Sequence, residues 1–192
     1  MRLISALLLS LPTLIVALSI RDDPMALVLN FVTCTEDTHS RWYSINSAFA
    51  PKIAPAAVWG QIGNFTAPTW TNWTRVTGGD NAPGSRRYYI GSSGQEEYQE
   101  LVISKEDSAH ATFLQVFSNS DAVGQANGVG IEFSDVLGLL AATNATEGMP
   151  GSVLTWVTAG CSNDSSSAEA FSFNKHAARF NAWLSAFNSS VA

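Results

Sequence analysis

Cysteine occurs twice and histidine three times in this chain, and neither residue falls at the spacing a metal site needs. His39, His110 and His176 are far apart, so no metal ligand set is expected. No G-x-S-x-G elbow occurs, which leaves Ser-His-Asp hydrolysis without an anchor. Gly128-Val129-Gly130 is only a fragment of a dinucleotide loop and follows no convincing strand, so no cofactor is expected. Charge is also sparse: 14% of residues are charged, ten basic against sixteen acidic, for a net −6. With no basic stripe to neutralise phosphates, a nucleic-acid partner is excluded, and anionic surfaces would repel the chain. The 46% apolar content in turn excludes general disorder.

One long hydrophobic run is present, at the N-terminus. Arg2 forms a short positive region, Leu3 to Leu18 supplies an apolar run interrupted by Ser5, Ser10 and Pro12, and Ala17 and Ser19 offer the small residues of a cleavage site. Residues 1–19 therefore read as a signal peptide. An uncleaved anchor is the rival reading, since this run is near the lower length for spanning a bilayer, but Pro12 and the hydroxyls weaken it. Met25 to Val32 is too short to span and is bracketed by Asp22, Asp23, Glu36 and Asp37. The expected location is outside the cell or in the secretory-pathway lumen, without stable membrane insertion after signal cleavage.

Other features agree with that address. N-x-[ST] sequons stand at Asn64, Asn72, Asn144, Asn163 and Asn188, each a glycosylation candidate or an ordinary loop asparagine. Cys34 and Cys161 are expected to pair in an oxidising compartment, the alternative being two separate buried thiols.

The mature part is long enough for one domain with a sizeable core. An extension, residues 20–40, comes first. A strand over Trp42–Phe49 ends at Ala50-Pro51, and Val58, Trp59 and Ile62 lie at helical spacing after Pro55, a proline suited to a first turn. Gly78 to Gly84 is a turn cluster between Trp73–Thr77 and Arg86–Ile90, which predicts a hairpin. Strands over Gln95–Ser104 and Thr112–Phe117 complete a four-strand meander. Ile131–Leu140 and Val153–Ala159 add two more, although 135–140 also suits a helical turn. From Ser167 to Phe187 there is no glycine or proline, and Phe173, Ala177, Phe180, Trp183, Leu184 and Phe187 recur at three- and four-residue intervals. That spacing predicts an amphipathic C-terminal helix, with Ser165-Ser166-Ser167 as N-cap candidates.

Ala50-Pro51 and Ala54-Pro55 before Val58-Trp59, then Ile62 to Trp70, Pro83-Gly84-Ser85-Arg86-Arg87, Gly94, Glu100-Leu101, Asp107 and Leu154-Thr155-Trp156 form a diffuse pattern. It resembles the START/Bet v 1-like superfamily, particularly its polyketide cyclase/dehydrase and lipid-transport branch. The likeness covers about residues 41–187, within a 41–192 ligand-binding domain. It implies an α+β helix-grip fold, a curved antiparallel sheet wrapped around the C-terminal helix, with an apolar cavity between them.

The resemblance also points Arg87 inward, and period two brings Tyr89 with it. On the next strand Glu97, Gln99, Leu101 and Ile103 are assigned inward, and Glu96, Tyr98, Glu100 and Val102 outward; a one-residue slip would exchange the sets. Arg87 and Glu97 are candidates for a buried pair that orients a ligand carbonyl, or for a structural cross-strand pair. Tyr89 is a candidate phenolic donor. His176 is either a proton shuttle on the gripping helix or a solvent-facing neighbour of Lys175. Gln99, Leu101, Phe113, Trp156, Phe173 and Phe180 are candidates for lining the cavity. The implied function is handling of a hydrophobic small molecule, as a cofactor-free cyclase, dehydratase or isomerase of a polyketide- or terpenoid-like metabolite, or as a non-catalytic carrier.

N-terminal sequencing of the exported protein should begin at about Ile20; recovery of an intact Met1–Ser19 segment would show that the hydrophobic run is retained as an anchor.

Overall fold

The computed structural model describes residues 28, 32–67, 73–91, 93–126, 129–145 and 150–191, with side chains of 122–129 and 186–191 left aside. Residues 1–19 and the sequon at Asn72 lie outside the described residues. Eight strands and two helices follow in the order β1 (Ser40–Pro51), α1 (Pro55–Ile62), β2 (Arg75–Thr77), β3 (Arg86–Ile90), β4 (Glu96–Asp107), β5 (Thr112–Asn119), β6 (Ala122–Ala126), β7 (Val129–Asn144), β8 (Gly151–Ser162) and α2 (Ser165–Val191). The sheet is antiparallel, ordered β1-β8-β7-β5-β4-β3-β2, with β6 paired to the first part of β7. Its inner face holds α2, which packs mainly against β1, and α1. This is the α+β helix-grip fold.

Local chemistry accounts for these elements. Pro55 opens α1, and the buried Val58, Trp59 and Ile62 form its inward stripe. Around Gly78 to Gly84 the chain turns back through Gly78 (φ 88°) and Gly84 (φ 86°), a conformation that glycine adopts without Cβ strain. The hairpin then pairs Val76 with Arg87.

Two irregularities re-aim side chains. The β4–β5 register shifts between Leu101 and Ile103, so Leu101 lies opposite Phe117 on the inner face while Ile103 lies opposite Val116 on the outer one. A period-two assignment places Ile103 inward; the bulge inserts a residue and reverses it. On β7 the register with β8 shifts between Ser134 and Leu137, with Asp135 at φ 53°. The stretch 135–140 is thus strand and not a helical turn, and the irregularity turns Val136 into the interior. The β6 strand, in a glycine-rich passage without a sequence signal for pairing, extends the long β7 into a hairpin.

Helix α2 is capped by Asp164, whose Oδ1 accepts from the Ser167 amide at 3.0 Å, and not by one of the three serines that follow. The acceptor holds its charge, since that hydrogen bond keeps the Asp164 carboxyl below its usual range. The inward face of α2 also differs in phase from the hydrophobic spacing. Ala168, Ser172, His176, Phe180 and Trp183 are buried, whereas Phe173 is 47% exposed. Polar bonds fix this phase: Ser44 and Ser172 hydroxyls lie 2.8 Å apart, and Asn46 Nδ2 donates to the Phe173 carbonyl at 3.1 Å.

The core lies on both faces of the sheet. The inner cluster joins Val58, Trp59, Ile62, Phe65, Leu101, Phe117, Leu154 and Phe180. An outer cluster joins Leu114, Val116, Leu139 and Val157 to Val28 and Val32 of the extension. A disulfide, Cys34–Cys161, fastens that extension to the end of β8. The extension is therefore the lid of a second apolar layer, without which these strand residues would face water.

The two cysteines are separated by 127 residues. Closing so long a loop stabilises by up to about 5 kcal/mol in the chain-entropy model. A Cys34→Ala/Cys161→Ala variant should melt about 10–20 °C lower, a shift scaled from the usual entropy of unfolding for a chain of this size. Differential scanning calorimetry checks this, and an unchanged Tm would mean that the extension adheres by apolar contact alone.

Candidate functional site

Where the sheet curves around the N-terminal half of α2, the interior is incompletely filled. The remaining cavity has a volume of about 90 Å³. Its apolar wall is aromatic, with Trp42, Trp73, Phe117, Phe133, Trp156 and Phe171 among the lining residues. The rest is polar: Tyr89 and Glu97 come from adjacent strands, Gln99 and Asn119 form the floor, and Lys175, His176 and Arg179 project from the helix.

Strand register dictates which groups meet. Arg87 lies opposite Gln99, and Tyr89 lies opposite Glu97. The pairing of Arg87 with Glu97 weighed from the sequence is therefore not what forms: both point inward, but cross-strand neighbours sit directly opposite, and these two are offset by two residues along the strands. Arg87 is 1% exposed and sets its guanidinium over Phe65 (4.2 Å), Trp73 (4.4 Å) and Phe117 (5.2 Å). Its Nε donates to Gln99 Oε1 at 2.8 Å, and Gln99 Nε2 passes the direction on to Asn119 Oδ1 at 2.7 Å. One arginine Nη atom is buried without a hydrogen-bond partner. Burial, reinforced by the charge of Arg179, pushes the Arg87 pKa down to about 9. It remains a cation at neutral pH, held by aromatic faces.

Tyr89 is hydrogen-bonded to Glu97, and its ring meets Trp73 edge-on at 5.7 Å. Burial, then the nearby carboxylate, raises the Tyr89 pKa far above its ordinary value. The phenol thus keeps its proton and can only donate it as a hydrogen bond. A Cβ at Gly91 would stand 1.7 Å from Glu97 Oε1, so the glycine leaves the space that this carboxylate occupies.

His176 is buried, contrary to a solvent-facing placement, and stacks on Trp156 with ring centroids 4.0 Å apart. Its Nδ1 lies 3.5 Å from the Ser172 hydroxyl. Burial, followed by the charges of Lys175 and Arg179, lowers its pKa to about 3. The imidazole is neutral at pH 7, which removes it from the range suited to proton shuttling. Lys175 is also drawn inward: its Nζ lies 5.4 Å from the Tyr89 ring centroid and 5.6 Å from that of Phe171. Burial first, then Arg179, lowers the Lys175 pKa, while Glu97 opposes the shift.

Of the residues proposed from sequence to line the cavity, Gln99 and Trp156 do so. Leu101, Phe113 and Phe180 are buried in the inner core beside it, with Phe113 stacked on Trp59 beneath α1. Phe173 points outward. Trp42, Trp73, Lys175 and Arg179 were missed as a group. The last two are separated by one helical turn, and their spacing with Ser172 and His176 is the signal that would have found them. Among the sequons, Asn144 and Asn163 are exposed, and Asn64 accepts from the Ala67 amide in a local turn. Asn188 lies on α2 without a described side chain.

An antiparallel sheet gripping a C-terminal helix around a polar-aromatic cavity defines a helix-grip protein. No protein-family model and no curated protein matches the chain. Solved structures do. The protein XoxI from Bacillus cereus is 14% identical with a TM-score of 0.57, covering 79% of this chain and 99% of its own. An uncharacterized protein from Bacillus thuringiensis is 15% identical with a TM-score of 0.55, covering 76% and 98%. Ara h 8.0201, a Bet v 1-like protein, is 14% identical with a TM-score of 0.49 over 78% and 99%. The first two carry the fold assignment.

The lowered His176 pKa makes stability depend on acid. The unfolded imidazole binds a proton near its ordinary value of 6.5 and the folded one near 3. The unfolded state therefore binds more protons in that window, so stability is full above about pH 6.5 and falls as pH drops toward 3. A His176→Phe variant, which keeps the stack on Trp156, should lose up to about 1.4 kcal/mol per pH unit of that slope. Urea unfolding of both proteins at pH 7, 5.5 and 4.5 measures the difference. Parallel curves would place the histidine in water.

Proposed function

We propose that this protein is exported and that its cavity takes up a small amphipathic organic molecule, on which it acts as a cofactor-free acid–base catalyst of the cyclase, dehydratase or isomerase type. The observation that carries this reading is the Tyr89–Glu97 pair facing an aromatic-walled interior. Export is supported by the Cys34–Cys161 bond, a linkage favoured in oxidising compartments.

The chemistry requires little. A carboxylate in a water-poor site can take a proton from carbon next to a carbonyl, and the same proton returned to another carbon gives isomerisation. Loss of a β-hydroxyl with that proton gives dehydration. Glu97 is the base in this scheme, and Tyr89, which retains its proton, holds the carboxylate in place. The aromatic walls fix the molecule in one pose, which lowers the entropic barrier. A volume of about 90 Å³ favours a compact molecule over an extended polyketide or acyl chain.

A carrier without catalysis is the second reading, favoured by the neutral, stacked His176. Two measurements separate these possibilities. Acetophenone, a one-ring ketone of the size this cavity suits, should bind with either, seen by saturation-transfer NMR, and absence of binding would sink both. Exchange of the methyl protons of acetophenone in D2O, followed by NMR, should be accelerated by the wild-type protein and fall at least about 100-fold in Glu97→Gln, the usual loss of a general base. Equal exchange in the variant and wild type, with acetophenone binding intact, leaves the carrier.

A further inference from the structure

Among the described residues that line the cavity, cations outnumber carboxylates, although the chain as a whole is acidic. Lys175 and Arg179 project into it from successive turns of α2, and Arg87 stands just behind the wall that Gln99 forms. Against these three cations, Glu97 is the one carboxylate among the described lining residues, and it already accepts from Tyr89. The cations act on one another: Arg179 disfavours the charged forms of both Arg87 and Lys175. An anion placed among like charges in a partly desolvated space relieves their mutual repulsion.

The neutral groups point to the same chemistry. Trp73 Nε1 and Trp42 Nε1 are buried and lack hydrogen-bond partners among the described residues, as does the Thr158 hydroxyl, and all three side chains line the cavity. An indole N–H can only donate. The interior therefore offers ammonium, guanidinium and N–H donors together, with aromatic walls around them. An uncharged hydrocarbon would leave these donors unsatisfied.

Outside lies an acidic groove that shares Glu97 and Phe133 with the cavity and adds Glu36, Glu96, Asp121 and Glu132. Two of these carboxylates are already engaged, Glu36 with His39 and Glu96 with Arg75. Solvent and salt screen such outer charges, whereas the buried cations are screened far less. The inner charge decides what is held.

We infer that the cavity is built for a compact aromatic or alicyclic carboxylate, with Lys175 and Arg179 holding the carboxylate, the Trp73 indole N–H donating to it, and the ring lying among Trp156, Phe133 and Phe171. This rests on the reading of the cavity as a small-molecule site and specifies its ligand class. The volume of about 90 Å³ corresponds to roughly six to nine waters, a space for one ring and not for a lipid tail.

Benzoate and benzamide share a ring and a shape and differ in charge, so calorimetric titration of the intact protein with each at pH 7 tests the inference. Benzoate should bind at least about tenfold more tightly, as charge-assisted hydrogen bonds in a desolvated site imply. The Lys175→Met/Arg179→Met variant should reduce that preference to within about threefold. In the wild-type protein, benzoate should also shift the Trp73 indole N–H resonance, a readout that needs no charge variant to fold. Equal binding of the amide, or a benzoate preference that survives in the double variant, overturns the carboxylate assignment and leaves a neutral-ligand cavity standing. Binding of neither probe overturns both.

Discussion

A buried guanidinium with no carboxylate in contact among the described residues organises the inner face of this protein. Arg87 lies over three aromatic rings and donates to Gln99, which donates in turn to Asn119, whose Nδ2 reaches the Val136 carbonyl at 3.5 Å. The chain of donors runs across β3, β4, β5 and β7. Each member fixes the next, because an amide that accepts on one side must donate on the other. The three rings present their faces to the cation, which is thereby held without a charged partner in the hydrogen-bond chain.

Helix α2 meets this sheet through two different surfaces. Toward its C-terminal half, Phe180 and Trp183 join the inner core and are ordinary apolar burial. Toward its N-terminal half, Ser172, Lys175, His176 and Arg179 turn inward and are polar, so the helix seals one end of the interior and lines a cavity at the other. Hydrogen bonds to Ser44 and Asn46 on β1 fix its rotation there, beside the packing of Ala168 and Phe171 near Trp42, Ile131 and Val136. Core packing and cavity lining are thus divided along one element.

Much of the fold was legible in the sequence because it rests on local signals. The proline before α1, the glycine cluster between β2 and β3, and the alternation over β4 each act within a few residues. The site was legible only in part. Strand alternation placed Arg87, Tyr89, Glu97 and Gln99 on the inner face, but which of them meet depends on cross-strand register, and that put Gln99, not Glu97, against Arg87. Hydrophobic spacing held for Phe180 and Trp183 but failed on the N-terminal half of α2 for a definite reason: it assumes that the buried face is apolar, and a cavity-facing surface is not. Phe173 therefore lies outside while Lys175 faces inward. Ile103 was misplaced by a bulge that no residue type announces.

What the sequence by itself determined is the set of elements other than β6, their order, and the residues available for chemistry, since helix, strand and turn preferences are properties of short segments. Only the tertiary structure decided that the Cys34 and Cys161 sulfurs meet across 127 residues, that Tyr89 stands beside Glu97, and that three cations share one interior with a single lining carboxylate among the described residues. These depend on the register of strands and the rotation of a helix, which arise from packing over the whole sheet. A cavity is what such packing leaves unfilled, and no segment of the chain specifies it alone.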